Sequence, residues 1–285
     1  MPREKQSWLT ESETDPGRRD MMPDVIKAAC VQVDSRPGDV KGNIEKSLGL
    51  IKEAKDGGAQ LVVLPELFNV GYDFSVLEGL RYDYDETRSL LSMAAKEIDI
   101  HIAAGLLEIE DGKRYNSVLV FDPGGFVSTK YRKICLFPPS REEKVFHPGG
   151  ELATFSIGNL KFGIMICFDI RFPEISRKYY KEGCSCLIVS SAFPFPRLDH
   201  WRILLRSRAV ENQMYVVAAN RVGKDGPLYF MGNSCIIDPW GTVKAIANET
   251  EETVIMGDIV AEKIDEVRKT IPCGDGFQRV LSLLT

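Results

Sequence analysis

Histidine is scarce in this chain: His101, His147 and His200 are the only three in 285 residues. Imidazole chemistry therefore has few places to start, and none of the three lies in a metal-ligand spacing. No Cys-x-x-Cys pair occurs, and Cys184-Ser185-Cys186 is too tight for a zinc knuckle. A phosphate-cradling glycine loop and a Gly-x-Gly-x-x-Gly turn are both missing, which argues against a bound nucleotide. Basic blocks are missing too. The 36 basic residues against 41 acidic ones give a net charge of −5, a poor basis for nucleic-acid binding. No run approaches the ~18 apolar residues of a membrane span.

What is present is the composition of a globular protein with ample core, 44% hydrophobic and 27% charged. Residues 1–23 are polar, punctuated by Pro and Gly and mixed in charge, without the apolar stretch of a signal peptide. They are read as a mobile N-terminal arm, with the fold beginning near Asp24 and a cytoplasmic setting expected. The seven cysteines, odd in number and scattered, fit a reducing compartment. Six of them read as small buried hydrophobes.

Strand-like and helix-like text alternates from there on. Val25–Val33 is rich in β-formers, and Leu61–Leu64 is wholly apolar, as a strand covered on both faces must be. Helical spacing of Ile44, Leu48, Ile51 and Ala54 predicts a helix over 43–56, ended by Gly57. Further helices are expected over 86–98, between Pro173 and Gly183, and from a cap at Asp199 to about Gln213. Strands are expected at 100–108, 187–190 and 215–219. The segment 116–125 (NSVLVFDPGG) is echoed at 233–241 (NSCIIDPWG), each an apolar strand entering an Asp-Pro-x-Gly turn. Either these are two unrelated hairpins or the chain holds two similar halves whose sheets face each other beneath outer helices. No linker-like composition divides the chain after residue 24, so one domain is expected. Residues 262–285 read as a short helix and a tail whose Phe277, Val280 and Leu281 need a surface to dock on; a partner subunit would serve.

Three strand-like runs end in chemically useful residues. Leu61–Pro65 leads to Glu66, Val127–Arg132 leads to Lys133, and Lys161–Ile166 leads to Cys167. A buried strand that delivers a thiol to its carboxyl end presents a nucleophile well. A thiol attacks as thiolate, so something beside it must take its proton. Glu66 is the candidate base, and Lys133 the candidate cation for an oxyanion. A Cys-His dyad using His147 or His200 is the competing arrangement, and a solvated or capping role is the plain alternative for Glu66 and Lys133.

The text around these residues is more specific. Leu-Pro-Glu-Leu-Phe (64–68), Tyr-Arg-Lys-Ile-Cys-Leu-Phe (131–137) and Gly-Ile-Met-Ile-Cys-Phe-Asp-Ile-Arg-Phe-Pro-Glu (163–174) occur in that order. This resembles the nitrilase superfamily of carbon–nitrogen hydrolases, over roughly Val25 to Arg268. The resemblance implies an α/β fold, a four-layer α-β-β-α sandwich of two packed mixed sheets, with a carbon–nitrogen hydrolase domain over 24–270 and a tail over 271–285 at a subunit interface. It implies Glu66 as general base, Lys133 as oxyanion stabiliser and Cys167 as nucleophile, with no metal and no organic cofactor. A second family glutamate falls at Glu142 or Glu143; the following Val-Phe-His-Pro-Gly text favours Glu143. Arg208–Asn212 and Gly232–Ser234 also resemble family positions, taken as structural. Homodimers or larger even oligomers are expected.

The implied reaction is hydrolysis of a small carboxamide to carboxylate and ammonia through a cysteine thioester. Phe168-Asp169 after the nucleophile resembles the amidase and carbamoylase branches, and Ile170–Glu174 is similar to the ω-amidase-like group. The loop Phe-Pro-Pro-Ser-Arg-Glu-Glu-Lys (137–144) departs from that group, which leaves the substrate open between an amide, an N-carbamoyl amine and a nitrile. A non-catalytic assembly protein on the same scaffold is the alternative of another class. Tyr72, Phe168 and Phe193 are candidate substrate-pocket liners, and Arg197 a candidate anchor for a substrate carboxylate.

Overall fold

The computed structural model describes residues 25–77 and 79–283, so the arm expected over 1–23 lies outside the described residues. The first half of the chain runs β1 (Val25–Gln32), α1 (Val40–Asp56), β2 (Leu61–Val63), α2 (Tyr84–Ile98), β3 (His101–Glu110), β4 (Lys113–Phe121) and β5 (Val127–Arg132). The second runs β6 (Thr154–Ile157), β7 (Leu160–Ile166), α3 (Pro173–Lys181), β8 (Cys186–Ser191), α4 (Leu198–Asn212), β9 (Tyr215–Asn220), β10 (Val222–Asp225), β11 (Leu228–Met231), β12 (Cys235–Ile237) and β13 (Val243–Ile246). The chain continues through β14 (Thr253–Val260), α5 (Ala261–Thr270) and α6 (Gly274–Leu281).

Two six-stranded mixed sheets result, ordered β14-β1-β2-β3-β4-β5 and β13-β12-β9-β8-β7-β6. In each, three parallel strands joined through helices are extended by an antiparallel pair: β1, β2, β3 then β4 and β5, and β7, β8, β9 then β12 and β13. The echo at 116–125 and 233–241 marks this repeat. Asp122 and Asp238 make the same turn, each accepting from two backbone N–H groups at 2.9 Å, those of Gly124 and Phe126 in one and Trp240 and Thr242 in the other.

Strand alternation decides which side chains enter which layer. Cys30, Val63, Ala103 and Val118 point inward against Ile164, Ile188 and Val217 of the second sheet. Their neighbours Ala29, Val62, Ala104 and Leu119 point outward and meet Ile44, Ile51, Leu91 and Ala95 of α1 and α2. Trp201, Leu205 and Ala209 of α4 and Tyr179 of α3 cover the outer face of the second sheet. The layers are therefore α-β-β-α.

Local signals account for most of the helix limits. Asp39 caps α1 by accepting from Gly42 N, and Asp83 caps α2 by accepting from Glu86 N. Pro173 opens α3, as expected. Asp199 does not cap α4: Arg197 holds that position and Asp199 lies in the first turn. Beyond α5 the expected tail is a second helix, α6. Phe277 docks on its own chain, its ring 5.1 Å edge-on to Tyr180 and 3.6 Å beneath the Arg177 guanidinium. No helix among the described residues is long and apolar enough to cross a membrane.

Candidate active site

Strand ends on both sheets converge in the space between the layers. Glu66 follows β2, Lys133 follows β5 and Cys167 follows β7, and all three are buried to within a few percent of full enclosure. The Glu66 segment lies directly against β3. A Cβ at Gly105 would meet Pro65 O at 2.5 Å and Glu66 Cα at 2.9 Å, so only glycine lets the two backbones come this close. Cys167 sits at φ +44°, a left-handed conformation that a non-glycine residue holds only where its surroundings enforce it. The turn aims the thiol away from the strand and into the cluster.

Lys133 joins two carboxylates. Its Nζ donates to Glu66 Oε1 at 2.6 Å and to Glu142 Oε1 at 2.7 Å. Glu66 Oε1 also accepts from Asn116 Nδ2 at 2.7 Å, and its Oε2 accepts from Ala192 N at 2.8 Å. Glu142 accepts from Phe137 N at 2.7 Å and from the Tyr72 hydroxyl. An ammonium has three donors. Two are used here, leaving the third for an incoming oxygen.

Glu143, the expected second glutamate, is a correction. It is exposed and has no hydrogen bond to the cluster among the described residues, whereas Glu142 is fully buried against Lys133. The tight turn at 142–144 sends consecutive side chains in different directions, which buries Glu142 and leaves Glu143 in solvent. Asn116 was noticed only as part of the hairpin echo. It reaches Glu66 from β4, two strands over from β2, a placement set by the order of strands in the sheet.

The charges decide the resting protonation. Burial works against the Lys133 ammonium, but Glu142 and Glu66 outweigh it and hold its pKa well above that of an ordinary lysine. Burial pushes Glu142 upward, against the pull of Lys133 and with the help of Glu66. The Tyr72 phenol is raised by burial and by Glu142, so it stays a donor. Burial and then the Glu66 charge raise the Cys167 thiol well above its usual range, while Lys133 opposes them. The resting sulfur is a protonated thiol that needs a base.

The remaining expected residues line two adjoining cavities. Phe168, Phe193 and Arg197 surround a small space above Cys167 together with Phe137, Pro194 and Arg171. Tyr72 and Arg197 line a neighbouring cavity of about 410 Å³ that opens outward. Phe193 also packs on Trp201 at 5.4 Å. Arg171 was not expected as a pocket residue, although it stands within the 163–174 motif. His147 is exposed and contacts Tyr115, and His200 is exposed and meets Arg171, so neither stands at the thiol.

The chain matches the carbon-nitrogen hydrolase family over residues 27–269. It is 38% identical to a 2-oxoglutaramate amidase from Bacillus subtilis, over 89% of this chain and 98% of that protein. It is also 38% identical to a human omega-amidase, over 85% of this chain and 90% of that protein. A CN-hydrolase superfamily protein from Xanthomonas campestris, solved with an arsenic adduct in its active site, superposes with TM-score 0.81 at 27% identity, covering 87% of this chain and 96% of that one. A Saccharomyces cerevisiae member of branch 10 of the nitrilase superfamily superposes with TM-score 0.80 at 30% identity, covering 88% and 95%. With this match over nearly all the described residues, the chain belongs to the carbon–nitrogen hydrolase family.

Proposed function

We propose that the protein hydrolyses the ω-amide of a small dicarboxylic acid, releasing ammonia and the free acid through a cysteine thioester. The observation that carries this reading is a pair of arginines, Arg171 and Arg197, at the rim of the cavity above Cys167. Among the described residues neither forms an ion pair with an acidic side chain. The one hydrogen bond of the Arg171 side chain among the described residues is with His200 Nδ1, at 3.1 Å. Burial lowers the Arg171 pKa, opposed by Cys167 and reinforced by the positive charge of Arg197. Two cations that repel one another beside a nucleophile favour a substrate that brings a carboxylate. Aromatic rings of Phe137, Phe168 and Phe193 hold the guanidinium groups in place. The names of the Bacillus and human relatives agree with that class of substrate.

In the proposed cycle Glu66 takes the Cys167 proton as the sulfur attacks the amide carbon. The oxyanion forms against the free donor of Lys133 and the backbone N–H of Phe168. Glu66 then gives the proton to the departing nitrogen, ammonia leaves and a thioester remains. Water attacks the thioester, Glu66 accepts its proton, and the acid and the thiol are restored. Glu142 and Tyr72 keep Lys133 charged and fixed. Homodimerisation is part of the proposal only as a family expectation.

An ammonia-release screen over ω-monoamides of dicarboxylic acids, simple carboxamides, N-carbamoyl amines and nitriles tests the reading. Release from ω-monoamides, with KM raised at least about tenfold in Arg197→Gln and little change for uncharged amides, is expected. Ammonia together with carbon dioxide from carbamoyl amines alone, or ammonia from nitriles alone, overturns it.

A further inference from the structure

Ser191, the last residue of β8, is fully buried, and its hydroxyl has no hydrogen-bond partner among the described residues. An unpaired buried hydroxyl is costly, so its position needs a reason. The parallel register supplies one. Ile166 of β7 stands opposite Ser190 of β8, which brings the next residues, Cys167 and Ser191, side by side. The same strand end is anchored on both flanks. Ser190 Oγ donates to Leu64 O at 2.6 Å, and Ala192 N donates to Glu66 Oε2 at 2.8 Å. Ser191 thus follows the residue that faces Ile166 across the sheet and precedes the backbone N–H that binds Glu66. The Ser191 hydroxyl stands near enough to the Cys167 sulfur to act on it as a hydrogen-bond donor, which lowers the proton affinity of the thiol.

We propose that Ser191 is a further catalytic residue, whose hydroxyl donates a hydrogen bond to the Cys167 sulfur as the thiolate develops. The S–H bond breaks, the proton goes to Glu66, and Ser191 keeps its own proton throughout. A donor left unsatisfied in the ground state and engaged only when charge appears lowers the barrier without tightening substrate binding. The same bond assists when the thioester collapses and the sulfur leaves as thiolate. The inference rests on Cys167 as nucleophile, from the proposed function, and not on the identity of the amide.

Ser191→Ala and Ser191→Gly both remove the hydroxyl and differ in packing, so a shared effect belongs to the hydrogen bond. Alkylation of Cys167 by iodoacetamide, followed peptide by peptide across pH, reads thiolate formation without any substrate. Both variants are expected to shift the Cys167 profile upward by about one pH unit and slow alkylation near neutrality about tenfold. Their melting temperatures should be unchanged or higher for Ala, since an unpaired polar group is gone. A folded variant that alkylates with the wild-type profile overturns the role of Ser191 alone. A wild-type protein in which Cys167 is not alkylated in preference to the other thiols overturns the nucleophile assignment, and this inference with it.

Discussion

Adjacent glutamates with opposite fates show how much one residue decides here. Glu142 is buried and bonded to Lys133 and Tyr72, and Glu143 faces solvent. Replacing Glu142 by Gln removes a negative charge from the ammonium it fixes, leaving an amide beside a buried cation. A fall in kcat of about 10²–10³ is expected. Glu143→Gln should leave kcat within about twofold, as ordinary surface changes do. Steady-state ammonia release for the two variants decides the matter, and equal effects would contradict the assignment.

At the scale of elements, the buried carboxylate of Asp169 joins two segments beside the site. It accepts from Cys135 N and Ile166 N at 2.9 Å and from the Tyr131 hydroxyl at 2.8 Å. These bonds tie the segment after β5, which carries Lys133, to the turn after β7, which carries Cys167. Burial raises the Asp169 pKa to about 6, although the three donors oppose it. The unfolded carboxyl releases its proton near pH ~3.9, so between about 4 and 6 the folded state binds the extra proton. Stability supported by the protonated form is complete below that window and is lost as pH rises through about 6. Relative to Asp169→Asn, the wild type should therefore lose up to about 3 kcal/mol between pH 4 and 7, read from urea midpoints. A constant difference across that range would show that Asp169 does not titrate there.

At the scale of the whole molecule, two similar halves close on each other and are pinned by a buried ion cluster. Arg221, fully enclosed, donates to Asp225 in the second half and to Asp34 at 3.0 Å in the first, and lies 4.3 Å from the Phe230 ring. Asp225 in turn accepts from Tyr72 N at 2.7 Å, which seats the loop beyond Glu66. Arg221→Leu leaves Asp225 as an uncompensated buried charge at a cost of about 3–5 kcal/mol. A melting temperature lower by roughly 10 °C, with one cooperative transition retained, is expected by calorimetry. A loss below about 2 °C would mean that the halves hold together without the cluster.

Periodicity, caps and turn residues were enough to place most strands and helices, because those signals act within a few residues along the chain. The ordered trio Glu66, Lys133 and Cys167 was legible for a similar reason: each follows a strand-like run, and the text around each resembles that of one family. The buried partner of Lys133 was not, since Glu142 and Glu143 differ only in the direction a tight turn gives their side chains. Nor were Asn116 and Ser191 legible as site residues, because each comes from another strand, and Arg171, although inside the 163–174 motif, is turned to the cavity by the short helix after Cys167. The amino-acid order by itself determined the layered fold and set an acid, a cation and a thiol at three strand ends. Only the packing of the two sheets decided which polar groups share an enclosed space, because proximity between distant segments is set by long-range closure that no local pattern encodes.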